Sequence, residues 1–503
     1  DKFLVSDSLD VIITPTNKEI RVLKNRDIEF DGALDAGNFQ FNGEQFTFRY
    51  DSFLVNLAKI DSIELRVELD AGKKEVLSNQ LEKTSGVLRI NDPNNKSALK
   101  SMPAFPIFSS SENASVVFDK SDVLKGAYDS TVYFDVPPFQ LDSVADADPS
   151  KYAFEGTFHS NGILPVFKEN LKVMDDKSFG FIHAIPDSGY NLYSTGGRLY
   201  GEVQLDKNGI SSPGVIEYLT GTFDNERATM FLDSLVVPKG IKGGLQAGFI
   251  DTVSYPAMSI EAYSMDWRAK RDSMIIKNLE KEKPFSIFED QAKLRGEMTL
   301  RKTGLFGKGE LQISGSTLNS DSIAFSMNSF EARNSKFKLN TDNSAKPILS
   351  AEEVRVDFDV ENQTATIEPE VAGAAAIEFP FAQFKTSIPS AVWDVNQKLV
   401  TMSKPEDTPL EQSFFYSTNK RLDSLAFYGT DALYNIDSKE LKVTGIPYIK
   451  VADALITPEN QELTILENSK IDRLTNAVIL MDTAGAYHRL YDANIEILSR
   501  TSF

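Results

Sequence analysis

Cysteine is absent from all 503 residues. That removes disulfide staples, thiolate metal sites and cysteine nucleophiles, and it leaves the compartment open. Histidine is nearly as scarce, with three copies that stand far apart, as Phe158-His159-Ser160, Ile182-His183-Ala184 and Tyr487-His488-Arg489. None has the close His or Glu neighbour of a zinc motif, so each reads as a structural histidine. Around His488 the flanking Tyr487, Arg489 and Tyr491 fit an aromatic cluster on an edge strand. Basic residues are outnumbered, with 53 Lys and Arg against 73 Asp and Glu and a net charge of −20. Such a field repels phosphate backbones and argues against nucleic acid as a partner. Long apolar runs are missing too: the least polar stretch, Val371 to Ala382, is broken by Glu378 and Pro380 and falls short of the roughly 20 residues a membrane helix requires. No transmembrane helix is predicted. Two tryptophans are few for a carbohydrate-stacking platform in a chain of this length.

What the chain does have is alternation, the period-2 pattern of strands with one buried face. Ile28, Phe30, Gly32 and Leu34 alternate, then Phe39 and Phe41, then Phe46, Phe48 and Tyr50. Ile63, Leu65, Val67 and Leu69 follow, and later Val354, Val356, Phe358 and Val360 with Ala365 and Ile367 on the return. Asn42-Gly43, Asn161-Gly162 and Asn208-Gly209 predict tight hairpin turns, because Asn and Gly reach positive φ. Near the end, short strands are predicted about every ten residues, at Leu425–Tyr428, Leu441–Val443, Tyr448–Val451, Leu463–Ile465, Ala477–Leu480 and Ile495–Ile497. Helical signal is poor. The window Trp267 to Lys283 balances between helix and strand, and short helical turns are predicted near Ser121–Lys125 and Pro165–Leu171. With 34 phenylalanines on mostly alternating positions, the expectation is a sheet interior filled by phenylalanine, against the sharper reading of an open apolar trough.

One stretch occurs twice. Leu199 to Thr222 and Leu294 to Thr317 match without a gap at an offset of 95 residues, with eight of 24 positions identical. The pairs are Leu199/Leu294, Gly201/Gly296, Glu202/Glu297, Leu205/Leu300, Lys207/Lys302, Gly209/Gly304, Gly214/Gly309 and Thr222/Thr317. Glycines and apolar residues recur while acids, bases and ligands do not, beyond one Glu and one Lys, so the repeat is one of architecture. A looser recurrence is Asp-Ser beside an apolar residue, at 51–52, 61–62, 142–143, 233–234, 321–322, 423–424 and 437–438. Both side chains bond to nearby backbone, which predicts strand-entry turns rather than a ladder of cation ligands.

Motifs for catalysis fail one by one. Gly304-Leu-Phe-Gly307-Lys308-Gly309 lacks the Ser or Thr and the following helix of a phosphate-binding loop, and reads as turns, as does its counterpart Gly209 to Gly214. There is no Gly-x-Ser-x-Gly elbow. Carboxylate pairs such as Glu352/Glu353 and Asp146/Asp148 are unavoidable among so many acids and carry no apolar pocket signature. No catalytic, cofactor-binding or metal-binding residue is named from the sequence.

Several phrases together resemble large β-rich cell-envelope proteins of Bacteroidota: Phe30-Asp-Gly-Ala-Leu-Asp-Ala-Gly-Asn-Phe-Gln-Phe41, Ile90-Asn-Asp-Pro-Asn-Asn-Lys-Ser97, Phe154-Glu-Gly-Thr-Phe-His-Ser-Asn-Gly-Ile163, Leu199-Tyr-Gly-Glu-Val-Gln-Leu205 and Gly445-Ile-Pro-Tyr-Ile-Lys-Val-Ala-Asp453. That resemblance implies export beyond the inner membrane and a longer parent chain, and it offers no catalytic residue to carry over. The absence of cysteine agrees with export, and both ends read as those of an excised segment. The C-terminal region, with Ala426-Phe-Tyr-Gly-Thr430 and Ala477-Val-Ile-Leu480, is similar in architecture to the OstA-like slabs of lipopolysaccharide-transport bridges.

The expected fold is all-β with minor α: antiparallel β-sandwich or jelly-roll-like modules in an elongated repeat array. The expected segments are 1–150, 151–285 with the first repeat copy, 286–402 with the second, and 403–503 as a stack of short strands, separated by polar loops such as Asn91 to Asn95, Asp142 to Ser150 and Met402 to Pro409. The expected function is a non-enzymatic envelope scaffold or docking protein in the periplasm or at the outer membrane, with other envelope proteins as partners. The alternatives are a bridge that binds lipid or glycolipid in a hydrophobic groove and, last, a carbohydrate-active enzyme.

Overall fold

A computed structural model of the chain describes residues 2–68, 74–144, 148, 151–341, 346–481, 485 and 488–503. The described residues are almost wholly antiparallel strand, and the helical pieces among them are single 3-10 turns such as Lys420–Leu422. None of these is long or apolar enough to cross a membrane. The fold is all-β, as the alternation predicts. Two compact units emerge: Asp1–Tyr218 with Phe223–Lys239 and Asp266–Arg271, and Leu219–Thr222 with Gly240–Met265 and Asp272–Phe503.

In the first unit the strands pair mostly with sequence neighbours, from Val11–Pro15 through Ile28–Ala36, Phe39–Arg49 and Leu54–Glu68 to Ala153–Ser160 and Phe167–Val173. Period-2 alternation sends one side chain in two inward, and phenylalanine takes most of the large inward places. Ring contacts run from Phe41 to Phe108 (4.8 Å), Phe108 to Phe139 (5.7 Å), Phe139 to Phe154 (5.1 Å) and Phe154 to Phe179 (5.7 Å). Phe41, Phe108, Phe154 and Phe179 are buried, each worth about 1.5–3 kcal/mol relative to exposure. The expectation that phenylalanine fills the interior holds.

The second unit begins as a meander of long hairpins, Ala292–Arg301, Gly304–Ile313, Ser316–Phe325, Ser329–Leu339 and Leu349–Asp359. The last of these pairs with both Thr364–Pro369 and Ile377–Phe379, and there the structure divides into two layers. Successive hairpins then alternate between them. Ser390–Asp394 with Leu399–Ser403, Asp431–Asn435 with Leu441–Thr444, and Leu463–Leu466 with Lys470–Ile471 extend one layer. Phe384–Thr386, Phe414–Ser417 with Ala426–Tyr428, Ile449–Val451 with Ala454–Thr457, and Leu474–Met481 with His488–Ile495 extend the other. This zigzag explains the ten-residue rhythm of the sequence. Phe379 packs on Tyr434 across the layers at 4.6 Å, and Ile377, Val400, Phe415, Leu441, Ile456 and Leu463 seal the space between.

The repeat becomes two hairpins. Gly197–Asp206 pairs with Gly209–Tyr218, and Ala292–Arg301 with Gly304–Ile313. The duplicated glycines face each other, Gly201 opposite Gly214 and Gly296 opposite Gly309. Their φ angles are +113°, +146°, +151° and +134°. A Cβ on Gly214 would stand 2.1 Å from the Tyr200 carbonyl oxygen and one on Gly309 2.2 Å from that of Arg295. Only glycine lets both strands bend at one level. The likeness also extends beyond the matched sequence. Phe179–Ala184 and Tyr190–Leu192 flank the first hairpin as Ser273–Asn278 and Phe285–Ile287 flank the second, in the same register. A carboxylate from outside each match, Asp176 or Asp272, accepts the backbone N–H of the turn lysine, Lys207 at 2.9 Å and Lys302 at 3.0 Å.

Several local expectations are corrected. Asn42-Gly43 is not a turn: it lies inside Phe39–Arg49, where Gly43 faces Gly32 and the opposing strand bulges at Asp61. At Asn208-Gly209 the turn is centred on Lys207 and Asn208, with the positive φ (+85°) on Gly209 as in a bulged hairpin. Asn161-Gly162 opens a longer connection. The balanced window 267–283 is strand, a 3-10 turn and the strand Ser273–Asn278; Pro165–Leu171 yields the strand Phe167–Val173. The predicted strand Ile495–Ile497 instead ends at Ile495. Four Asp-Ser pairs, at 51–52, 233–234, 423–424 and 437–438, stand at strand-entry turns or bends, but those at 61–62 and 321–322 sit at bulges within strands. Gly304 to Gly309 is strand after its turn. Leu69, Asp146 and Tyr487 lie outside the described residues.

Candidate functional site

The three histidines occupy unlike settings. His159 lies on Ala153–Ser160 with its ring stacked on Tyr133 at 4.6 Å. His488 opens the exposed strand His488–Ile495, which pairs with Leu474–Met481. His183 stands in a polar cluster that nothing local in the sequence announces. Its Nδ1 is 2.9 Å from Glu169 Oε2, and its Nε2 is 2.8 Å from the Tyr190 hydroxyl. These residues come from three strands, Phe167–Val173, Phe179–Ala184 and Tyr190–Leu192. Partial burial, followed by the Glu169 charge, holds the Tyr190 phenol above its ordinary value.

A carboxylate–imidazole–phenol chain can in principle relay a proton. Here it lacks an open face: Phe167 covers the imidazole in a stack at 3.9 Å, and Tyr190 continues the stack on that phenylalanine. The chain works as a bracket across three strands at the rim of the core.

Buried tyrosines tie the hairpin tips. Tyr128 donates to the Met230 carbonyl at 2.7 Å and accepts from the Ile210 N–H at 2.8 Å. Tyr255 donates to the Arg301 carbonyl at 2.8 Å. Burial pushes both phenols up, Tyr128 strongly. In the second unit, by contrast, the Tyr434 hydroxyl and the Trp393 indole N–H are buried with no hydrogen-bond partner.

Surface hollows are shallow. Glu352 and Glu353, the pair visible in the sequence, border one of about 390 Å³ with Ala374, Ala376, Glu378 and Lys385. Both are exposed, and Glu378 is ion-paired with Lys385 at 3.2 Å. No group of three or more His, Asp or Glu side chains suited to a metal occurs among the described residues.

An aromatic row lies on the outer surface of the C-terminal layer. On Phe414–Ser417, Phe415 and Ser417 point inward and are buried, which turns Phe414 and Tyr416 outward. Phe414 pairs with Tyr428, and Tyr416 with Ala426. Phe414, Tyr428, Tyr448, Ala426, Glu411 and Lys450 border a hollow of about 430 Å³. The signal for it was available in the alternation of Phe-Phe-Tyr-Ser, although which face would be covered was not. No family model matches this sequence, and no curated protein matches it.

Proposed function

We propose that the chain is a non-enzymatic segment of an exported cell-envelope protein, serving as scaffold or docking surface. The observation that carries the reading is the state of the interiors. The Phe41 to Phe179 ladder in one unit and the Phe379, Phe415 and Tyr434 contacts in the other are buried cores. The one acid–imidazole cluster is capped by Phe167. With the interior committed to packing, recognition falls to outer sheet faces and strand edges. The repeat fits that role, since it duplicates bends and turns and leaves the polar cluster in one copy.

A lipid-carrying bridge of the periplasm or outer membrane is the second reading. It is favoured by the alternation of short hairpins between two layers and requires those layers to part. The two readings separate by cross-linking the chain in the envelope of the bacterium that encodes it, followed by mass spectrometry of proteins and lipids. Docking expects cross-links from outer-face residues to envelope proteins and no bound acyl chain. Cross-links from inward residues such as Phe379 or Phe415 to acyl chains would overturn it.

A further inference from the structure

We infer that the aromatic row Tyr416, Phe414, Tyr428 and Tyr448 is a binding platform for a neutral, extended hexopyranose chain. The inference stands on this surface alone and does not depend on the export reading. Its first support is geometry. Phe414 and Tyr428 are register partners on adjacent strands, and the pairing of Phe427 with Ile449 sets Tyr448 beside the next strand. Strands lie about 4.8 Å apart, so the rings succeed one another at roughly the length of one sugar residue. Phe414 and Tyr416 add a second, near-parallel pair at 6.0 Å and 30°. Between them stands Ala426, whose short exposed side chain leaves the hollow open.

The second support is chemistry. Hexopyranoses with equatorial linkages form flat ribbons whose axial C–H groups make an apolar face and whose hydroxyls form polar edges. Aromatic rings accept the C–H face, and tyrosine brings a hydroxyl for the edge. Tyr416, Tyr428 and Tyr448 have no hydrogen bond from their hydroxyls to protein among the described residues, and Tyr448 is 40 % exposed. An acyl chain would leave those hydroxyls unmatched and half its own surface in water.

The third support is charge. In a chain of net charge −20, the platform is locally balanced: exposed Glu411 faces exposed Lys450 across the hollow, and Glu378 is paired with Lys385, the register partner of Tyr416. An anionic or strongly cationic ligand would find no net field to hold it. Charged side chains at the margin supply hydrogen bonds to sugar hydroxyls instead.

The test is calorimetric titration of the chain with cellohexaose, N-acetylchitohexaose and, as a curved control, maltohexaose. Saturable binding of at least one of the two flat hexasaccharides is expected, with maltohexaose weaker. Tyr448→Ala and Tyr428→Ala should each weaken binding about tenfold, and Tyr448→Phe, which keeps the ring, about threefold. Val392→Ala, on the outer face of the other layer, should leave it unchanged. Tyr448 lies outside the strands, so its variants test the site without strand damage, with circular dichroism as the check. Failure of both flat hexasaccharides to bind, binding untouched by Tyr448→Ala, or maltohexaose binding as tightly as they do would overturn the proposal. So would a wild-type dimer in sedimentation that Tyr448→Ala dissociates without any saccharide binding, which would make the row an interface between copies.

Discussion

The two copies of the repeated hairpin share a backbone and differ in what fills one slot. In the first, His183 faces Val203 and Tyr190 faces Leu199, and Glu169 completes a polar bracket. In the second, the same register positions hold Ile276 opposite Met298 and Phe285 opposite Leu294, both fully buried. An imidazole with two partners and a plain apolar pair are therefore interchangeable as far as the fold is concerned. What both copies keep is the facing glycine pair, the turn lysine and a carboxylate on its amide. The fold resides in backbone geometry, and the polar cluster is an addition to it.

The sharpest way to break that comparison is at the glycines. Gly214→Ala and Gly309→Ala each force a Cβ against a carbonyl oxygen at a left-handed φ. Each should cost about 3 kcal/mol in urea unfolding, and the two should agree closely. If one copy tolerates alanine, the shared-backbone premise fails for that copy.

Exchanging the slot comes next. Ile276→His buries an imidazole with no partner and should cost about 2 kcal/mol or more. His183→Ile should change stability by less than about 1 kcal/mol, because an apolar side chain stands at that register position in the other copy. Equal losses would mean that the bracket is a structural necessity.

The tyrosine ties give a smaller, pH-dependent contrast. Tyr128→Phe strands both the Met230 carbonyl and the Ile210 N–H, for about 2 kcal/mol, whereas Tyr255→Phe strands the Arg301 carbonyl alone, for about 1 kcal/mol. Both phenols titrate above the ordinary value of 10.0 in the folded state. Their contribution is therefore complete below pH 10 and is lost as pH rises from there through the folded pKa, since the unfolded phenol ionises first. Between those limits each steepens the alkaline loss by about 1.4 kcal/mol per pH unit, and the Tyr128→Phe variant should show a shallower slope in denaturant midpoints measured from pH 9 to 11. The smallest effect is at the turns, where Asp176→Asn and Asp272→Asn each weaken one exposed bond to a lysine amide and should cost about 0.5 kcal/mol by thermal melting.

Much of this was legible in the sequence, and the reasons are physical. Alternation of Ile28 to Phe48 and of Val354 to Ile367 showed strands because period 2 is a local property. The duplicated glycines were visible, but their pairing across strands was not, since register is set by the whole ladder. Asn42-Gly43 misled for the same reason: its neighbours on both sides continued one strand, and the glycine served a facing Gly32 instead of a turn. The Glu169, His183 and Tyr190 cluster left no trace, because its members are brought together by three separate strands. The row from Phe414 to Tyr448 was hidden by a true generalisation, that phenylalanine fills the interior. In Phe414-Phe415-Tyr416 the middle ring obeys it and the outer two do not.

The central claim is that the space between the C-terminal layers is sealed by its own side chains. Native mass spectrometry of the chain purified from its envelope without organic extraction tests it most directly. A single species at the mass of the polypeptide is expected, with nothing displaced by added detergent. A stoichiometric adduct with the mass of an acyl lipid, lost when Phe379 or Phe415 is replaced by tryptophan, would show that the layers enclose a ligand and would contradict the claim.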